Sequence, residues 1–156
     1  MLDYSSVAQL ADEAQFRGQS IGRLVLEDQA RQMGKTPETL MAVMDSQLQV
    51  MEQAAKQGER QDIRSQSGLT GGDGWRMARY AQKASPLGGA FCAQAMATAL
   101  AVAECNAAMG KIVASPTAGS CGILPGAVLT MMAQRGSSRE QACLALMTAG
   151  GIGMVI

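Results

Sequence analysis

Histidine is absent from the 156 residues of this chain. Any chemistry at neutral pH must therefore do without the usual general base. Aromatic residues make up only 3%, which argues against stacking on nucleobases. Lysine plus arginine balance aspartate plus glutamate at 13 each, so there is no electrostatic footprint for nucleic acid or an anionic membrane. The opening MLDYSSVAQLADE has no basic start and no long apolar centre, so no signal peptide is read there. Two uncharged windows, residues 84–103 and 112–134, approach membrane-spanning length. The first is mostly alanine and glycine and the second is interrupted by Pro116 and Pro125, so neither reads as a lipid-facing helix. Cys92, Cys105, Cys121 and Cys143 form no CxxC pair, and the expectation is a cytoplasmic chain with reduced thiols.

What is present points to helices. Apolar residues reach 47%, methionine is common, and the length suits one compact domain, taken as residues 1–156. Charge is crowded into the first half: beyond residue 83 only Glu104, Lys111, Arg135, Arg139 and Glu140 carry it. The first half reads as a solvated helical layer and the second as material buried on several sides. The chain ends at Ile156 inside the apolar TAGGIGMVI, which suggests a fragment, or a core completed by residues not present.

Ser6 and Gln9 predict a capping box, followed by apolar residues at helical spacing up to Gly18. Ser20 opens a second helix that closes near Gly34. Thr36-Pro37-Glu38 starts a third, whose stripe Leu40, Met44, Leu48, Met51 and Ala55 reads as core rather than a cofactor box. Asp73 is expected to cap a short helix running to about Ala84. An alanine-rich helix from Ser85-Pro86 to Gly110 has side chains small enough for close backbone approach, which places it at the centre of a bundle. A helix follows over 124–134, and Ser137 with Glu140 is expected to cap the last one. No period-two alternation is sustained anywhere. The expected fold is all-α: a helical bundle with two glycine-rich loops and no sheet.

The first loop, SQSGLTGGDG (residues 65–74), carries hydroxyls on Ser65, Ser67 and Thr70, the pair Gly71-Gly72, and Asp73. Its amides can curve into an anion nest ahead of a helix N-terminus; a plain surface loop is the other reading. The second loop, SPTAGSCGILPG (residues 115–126), places Thr117, Gly119 and Ser120 before Cys121. A cysteine near a helix N-terminus is expected to have a lowered pKa and thiolate character, suited to nucleophilic or metal chemistry. A small buried side chain is the alternative. No GKS or GKT follows, which excludes a P-loop. Cys92, Cys105 and Cys143 fall within helical runs and are expected to pack in the core.

Together, SQSGLTGGDG and ECNAAMGKIVASPTAGSCGILPGAVL resemble the α chain, or α domain, of the iron–sulfur-dependent bacterial L-serine dehydratases, also called L-serine deaminases. The order and separation of the two motifs also fit. The likeness covers residues 1–156 but only the front part of the family's α region. It implies conversion of L-serine to pyruvate and ammonia by β-elimination of water, followed by hydrolysis of the aminoacrylate. It implies a 4Fe–4S cluster, no pyridoxal phosphate, and a β chain or β domain as partner; a homo-oligomer is compatible with it.

In that family three cysteines hold the cluster and leave one iron open to substrate. Cys121 matches one ligand, and the others are expected beyond Ile156. Cys92, Cys105 and Cys143 receive no role. Ser65, Ser67, Gly68, Thr70, Gly71, Gly72 and Asp73 match the loop assigned to the substrate carboxylate and amine. Thr117 and Gly119 match the element beside the substrate, Asn106 matches the asparagine of an N-A-x-x-G element, and Ala118 stands where many members have asparagine.

The chemistry is physically coherent. An open iron can act as a Lewis acid on the poor leaving hydroxyl, and fixed amides can hold the carboxylate and orient the α-proton. With no histidine, the base must be Lys111, a cluster-linked group or the partner, and the partner is preferred. Three other readings remain at this point: a cluster-dependent eliminase of cysteine or threonine, a pyridoxal-phosphate lyase, and a helical interaction subunit without activity of its own.

Overall fold

The helix signals resolve into seven α-helices in a computed structural model, which describes residues 4–83, 85–115, 117 and 119–156; among these there is no strand. The helices are α1 (Val7–Phe16), α2 (Ile21–Met33), α3 (Pro37–Gly58), α4 (Asp73–Ala81), α5 (Gly89–Ala107), α6 (Ile123–Arg135) and α7 (Arg139–Gly153). None of them is long and apolar enough to cross a membrane.

Most helix ends follow local chemistry. Ser20 accepts the Arg23 amide at 3.2 Å, and Gly34, in the left-handed region, ends α2. Thr36 accepts the Thr39 amide at 3.3 Å, with Pro37 in the first helical position. At α1 only half of the capping box forms. Ser6 accepts the Gln9 amide, but the Gln9 side chain accepts from the Ser5 amide instead of returning to Ser6.

Several boundaries differ from expectation, among them the end of α5, which stops at Ala107 rather than Gly110. α4 is not capped by the Asp73 side chain: Gly72 is its N-cap and Asp73 is its first residue, paired with Arg76. The expected end of α4, Ala84, lies outside the described residues. α5 starts at Gly89 because residues 86–89 form a turn, held where the Leu87 amide donates to the Tyr80 hydroxyl at 2.6 Å. α7 is capped by Ser138 with Gln141, not Ser137 with Glu140. Two serines in tandem offered two registers, and the observed one satisfies the Ser138 amide through the Gln141 side chain at 2.8 Å.

The chain divides into two compact units, Met1–Ser46 with Ser138–Ile156, and Gln47–Ser137. In the first, Leu10 and Ala14 of α1 pack on Leu24 and Val25 of α2, joined by Ile152 of α7. A second cluster joins Leu26, Ala30 and Leu40 to Leu144 and Met147. Full burial of a leucine such as Leu10 or Leu24 contributes about 2–3 kcal/mol. The buried carboxylate of Asp28 accepts from the Tyr4 hydroxyl at 2.7 Å and faces Arg17 and Arg31. Burial and that carboxylate push the Tyr4 phenol up to about 12.

In the second unit α5 packs against both α4 and α6. Ala93, Ala97 and Ala101 recur every fourth residue along α5 and are fully buried. Two glycines exploit those small side chains: a Cβ on Gly74 would lie 2.9 Å from the backbone of Ala101, and one on Gly122 would run into the Ala99 carbonyl. The alanine-rich helix is thus the central element of this unit, as its composition predicts. Both glycine-rich loops belong to the same unit.

Candidate functional site

The last turn of α5 carries the sequence Glu104-Cys105-Asn106-Ala107, and the first loop, and Val113 just ahead of the second, are fastened to it. The Glu104 carboxylate, 7% exposed, accepts the Asp73 amide at 2.7 Å and the Gly74 amide at 3.2 Å. The Gln66 amide donates to the Ala107 carbonyl at 3.1 Å, and its side chain donates to the Ala108 carbonyl at 3.4 Å. The first loop is therefore held near its beginning and at its end by one helical turn.

Within that loop, the Ser65 amide donates to the Thr70 carbonyl at 2.9 Å, and the Ser65 hydroxyl accepts the Thr70 amide at 3.2 Å. The Ser67 hydroxyl lies 3.2 Å from that of Ser65 and accepts the Leu69 amide. The Gly68 amide donates to the Ser65 carbonyl. These contacts make residues 65–70 a closed turn whose tip exposes Leu69. Gly71 and Gly72 follow at φ 145° and 84°, conformations that L side chains rarely adopt. Among the described residues their amides have no hydrogen-bond partner.

Asn106 organises the second loop. Its side-chain amide donates to the Val113 carbonyl at 2.6 Å and accepts the Val113 amide at 2.9 Å, as a neighbouring strand would. Between them the chain leaves α5 through Met109, at φ 57° the one non-glycine residue with positive φ among the described residues, and Gly110. A Cβ on Gly110 would crowd the Cys105 sulfur and Gln57. Farther on, the Thr117 hydroxyl accepts the Ser120 amide at 3.3 Å, and the Ser115 amide donates to the Thr117 carbonyl. Thr117 and Gly119 are exposed; Pro116 and Ala118 lie outside the described residues.

Cys121 sits just ahead of α6, as read from the sequence, but is fully buried. Burial pushes its thiol up, and the nearby Cys105 adds to this; its own backbone amide and the Asn106 side chain pull the other way. The expected thiolate character is thus reversed. A helix terminus is worth about 0.3–1 kcal/mol, less than one pKa unit, whereas burial can shift a group by several. Cys105 is also raised by burial; its thiol donates to Gln57 at 3.5 Å and to the Lys111 carbonyl at 3.6 Å. Cys105 and Cys143 are core residues as expected, but Cys92 is exposed. Its position in the first turn of α5 lies ahead of the buried alanine face.

The structure therefore ties the first loop, and Val113 just ahead of the second, to one helical turn, while most of the hydroxyls among the sequence-derived residues are occupied in shaping their own loops. Two residues that sequence reasoning gave no site role, Glu104 and Gln66, do the fastening. A cleft of about 480 Å³ between α3, α5 and α6 is lined by Glu52, Lys56, Glu59, Gln94, Thr98 and Thr130, among others, and by none of the loop residues. Burial raises the Glu59 carboxyl there. The site residues expected from the sequence lie at the loops rather than in this cleft.

Residues 17–156 match the family model described as "Serine dehydratase alpha chain". The "Probable L-serine dehydratase, alpha chain" of Bacillus subtilis (strain 168) is 41% identical over 122 residues, covering 78% of this chain and 40% of that protein. The "L-serine dehydratase, alpha chain" of Peptoniphilus asaccharolyticus is 33% identical over 152 residues, covering 97% of this chain and 52% of that protein. The chain thus spans about half the length of these relatives or less. No solved structure matches it.

Proposed function

From the premise that this chain belongs to the serine dehydratase alpha chain family, we propose that it forms part of an L-serine dehydratase, a lyase that converts L-serine to pyruvate and ammonia. The observation that carries this reading is the fastening of the first loop, and of Val113 just ahead of the second, to the last turn of α5. Two separate stretches of sequence are thereby held by one rigid element, as a substrate pocket requires.

On this reading the free amides of Gly71 and Gly72 receive the serine carboxylate, in the manner of a backbone nest. Ser65, Ser67, Gly68 and Thr70 keep those glycines in place, and Asp73 stands beside the amine. Thr117 and Gly119 form the facing wall, and Asn106 holds that wall to α5.

Cys121 fits one ligand position of a 4Fe–4S cluster: it is a buried thiol just ahead of a helix N-terminus. Among the described residues no group of three Cys, His, Asp or Glu side chains could hold a metal ion, so the other ligands come from elsewhere in the complete enzyme. When bound, the cluster supplies a Lewis acid for the leaving hydroxyl. The base for the α-proton comes from the β chain; Lys111 is the candidate within this chain. The assembly acts in the cytoplasm, and residues 1–156 serve as a single domain, a reading that rests on α3 contributing to both units.

Anaerobic reconstitution of the full-length α chain with its β partner tests the proposal. Broad absorbance near the visible edge is expected on adding iron and sulfide, and Cys121→Ala is expected to abolish it. Retained absorbance in the variant would remove Cys121 from the ligand set. A wild-type enzyme that never acquires the absorbance would count against the cluster.

A further inference from the structure

We propose that Glu104 is a positioning residue for the substrate loop, a role that rests on the dehydratase reading. Glu104 is the only charged residue between Lys83 and Lys111. It lies in an otherwise uncharged helix, 7% exposed. A buried carboxylate costs several kcal/mol unless it is matched by donors. Among the described residues no lysine or arginine pairs with it; its donors are the backbone amides of Asp73 and Gly74, at 2.7 and 3.2 Å.

Those amides are the first two of α4, groups that a helix cannot satisfy internally and that carry the positive end of its dipole. Glu104 closes that end with a carboxylate of the chain's own. Two consequences follow. The substrate carboxylate is excluded from the tip of α4 and is left the amides of Gly71 and Gly72, one step earlier in the loop. The loop is also locked in register: Glu104 holds its end, the Ala107 carbonyl holds Gln66 near its start, and Gly74 has no room to move against Ala101. Glu104 touches none of the reacting atoms and acts through the loop.

The complete, cluster-loaded enzyme carrying Glu104→Gln tests this. Glutamine keeps the shape but presents one acceptor oxygen and an N–H₂ group where two amides must be received. KM for L-serine is expected to rise about tenfold, the worth of roughly one hydrogen bond, with kcat changed by less than about threefold. Cluster absorbance is expected to be unchanged, and the Asp73 and Gly74 amides should exchange with solvent about tenfold faster. Glu104→Asp, which keeps the charge on a shorter arm, should fall between the two in KM.

An active wild type whose Glu104→Gln variant keeps its KM and its amide protection overturns the positioning role alone; so does a fall in kcat at constant KM. A wild type inert towards L-serine overturns the dehydratase reading and this role with it. If Glu104→Gln does not fold, the wild type supplies the test: Asp73 and Gly74 should be protected relative to Trp75, in the same helical turn. Equal exchange of all three overturns the proposal.

Discussion

At Cys121 the local rule and the tertiary environment pull in opposite directions, and the environment wins. Its place before α6 is plain in the sequence, but its burial depends on residues packed from α5, which no short stretch displays. The consequence can be measured. In the folded chain Cys92 should be alkylated first by iodoacetamide, with Cys105, Cys121 and Cys143 reacting only on unfolding; mass spectrometry of the labelled peptides reads the order. The raised thiols also fix a sign for pH. A group whose pKa is higher folded than unfolded leaves stability intact below its unfolded value, about 8.5 for cysteine, and lowers it as pH rises beyond. The urea midpoint should therefore fall between pH 8 and pH 10, and Cys121→Ala should flatten that fall. Glu104 shows the same limit of legibility. It is one of five charges beyond residue 83, and the amides it meets are 30 and 31 residues away, so only the fold brings them together.

Among the elements, α2 and α3 were the most legible, because α2 carries both a start and a stop signal and α3 a start signal and a long apolar stripe. The sequence misplaced the starts of α5 and α7, where a glycine pair and a serine pair each offered alternatives. Small residues on α5 correctly indicated close packing, and the packing makes a sharp contrast between glycines. Gly74→Ala and Gly122→Ala should each destabilise the chain by about 2–3 kcal/mol, because the new methyl meets backbone that cannot yield. Gly150→Ala, inside α7 with open space around it, should instead be neutral or stabilise by up to about 1 kcal/mol. Chemical denaturation of the three variants distinguishes these outcomes. Asn106→Ala should cost about 1–3 kcal/mol by orphaning both polar groups of Val113, and should speed hydrogen exchange at the amides of residues 111–115.

For the whole molecule, the all-α class was readable from periodicity and from the lack of alternation, and the family from the two loops. The division into two units was not readable, because α3 runs through the boundary without a break in its pattern. The anchoring turn was hidden for a similar reason: ECNAA reads as the end of a helix, with nothing in its spacing to show that it holds the first loop and Val113. The relatives that name the reaction are matched over about half their length or less, so the reaction has to be tested on the complete enzyme. The most direct measurement is product formation from L-serine by the complete α chain, supplied with iron and sulfide and with the proposed β chain, under anaerobic conditions. The account predicts pyruvate and ammonia in equal amounts, lost in Cys121→Ala. An enzyme with full cluster absorbance that forms no pyruvate from L-serine would contradict it.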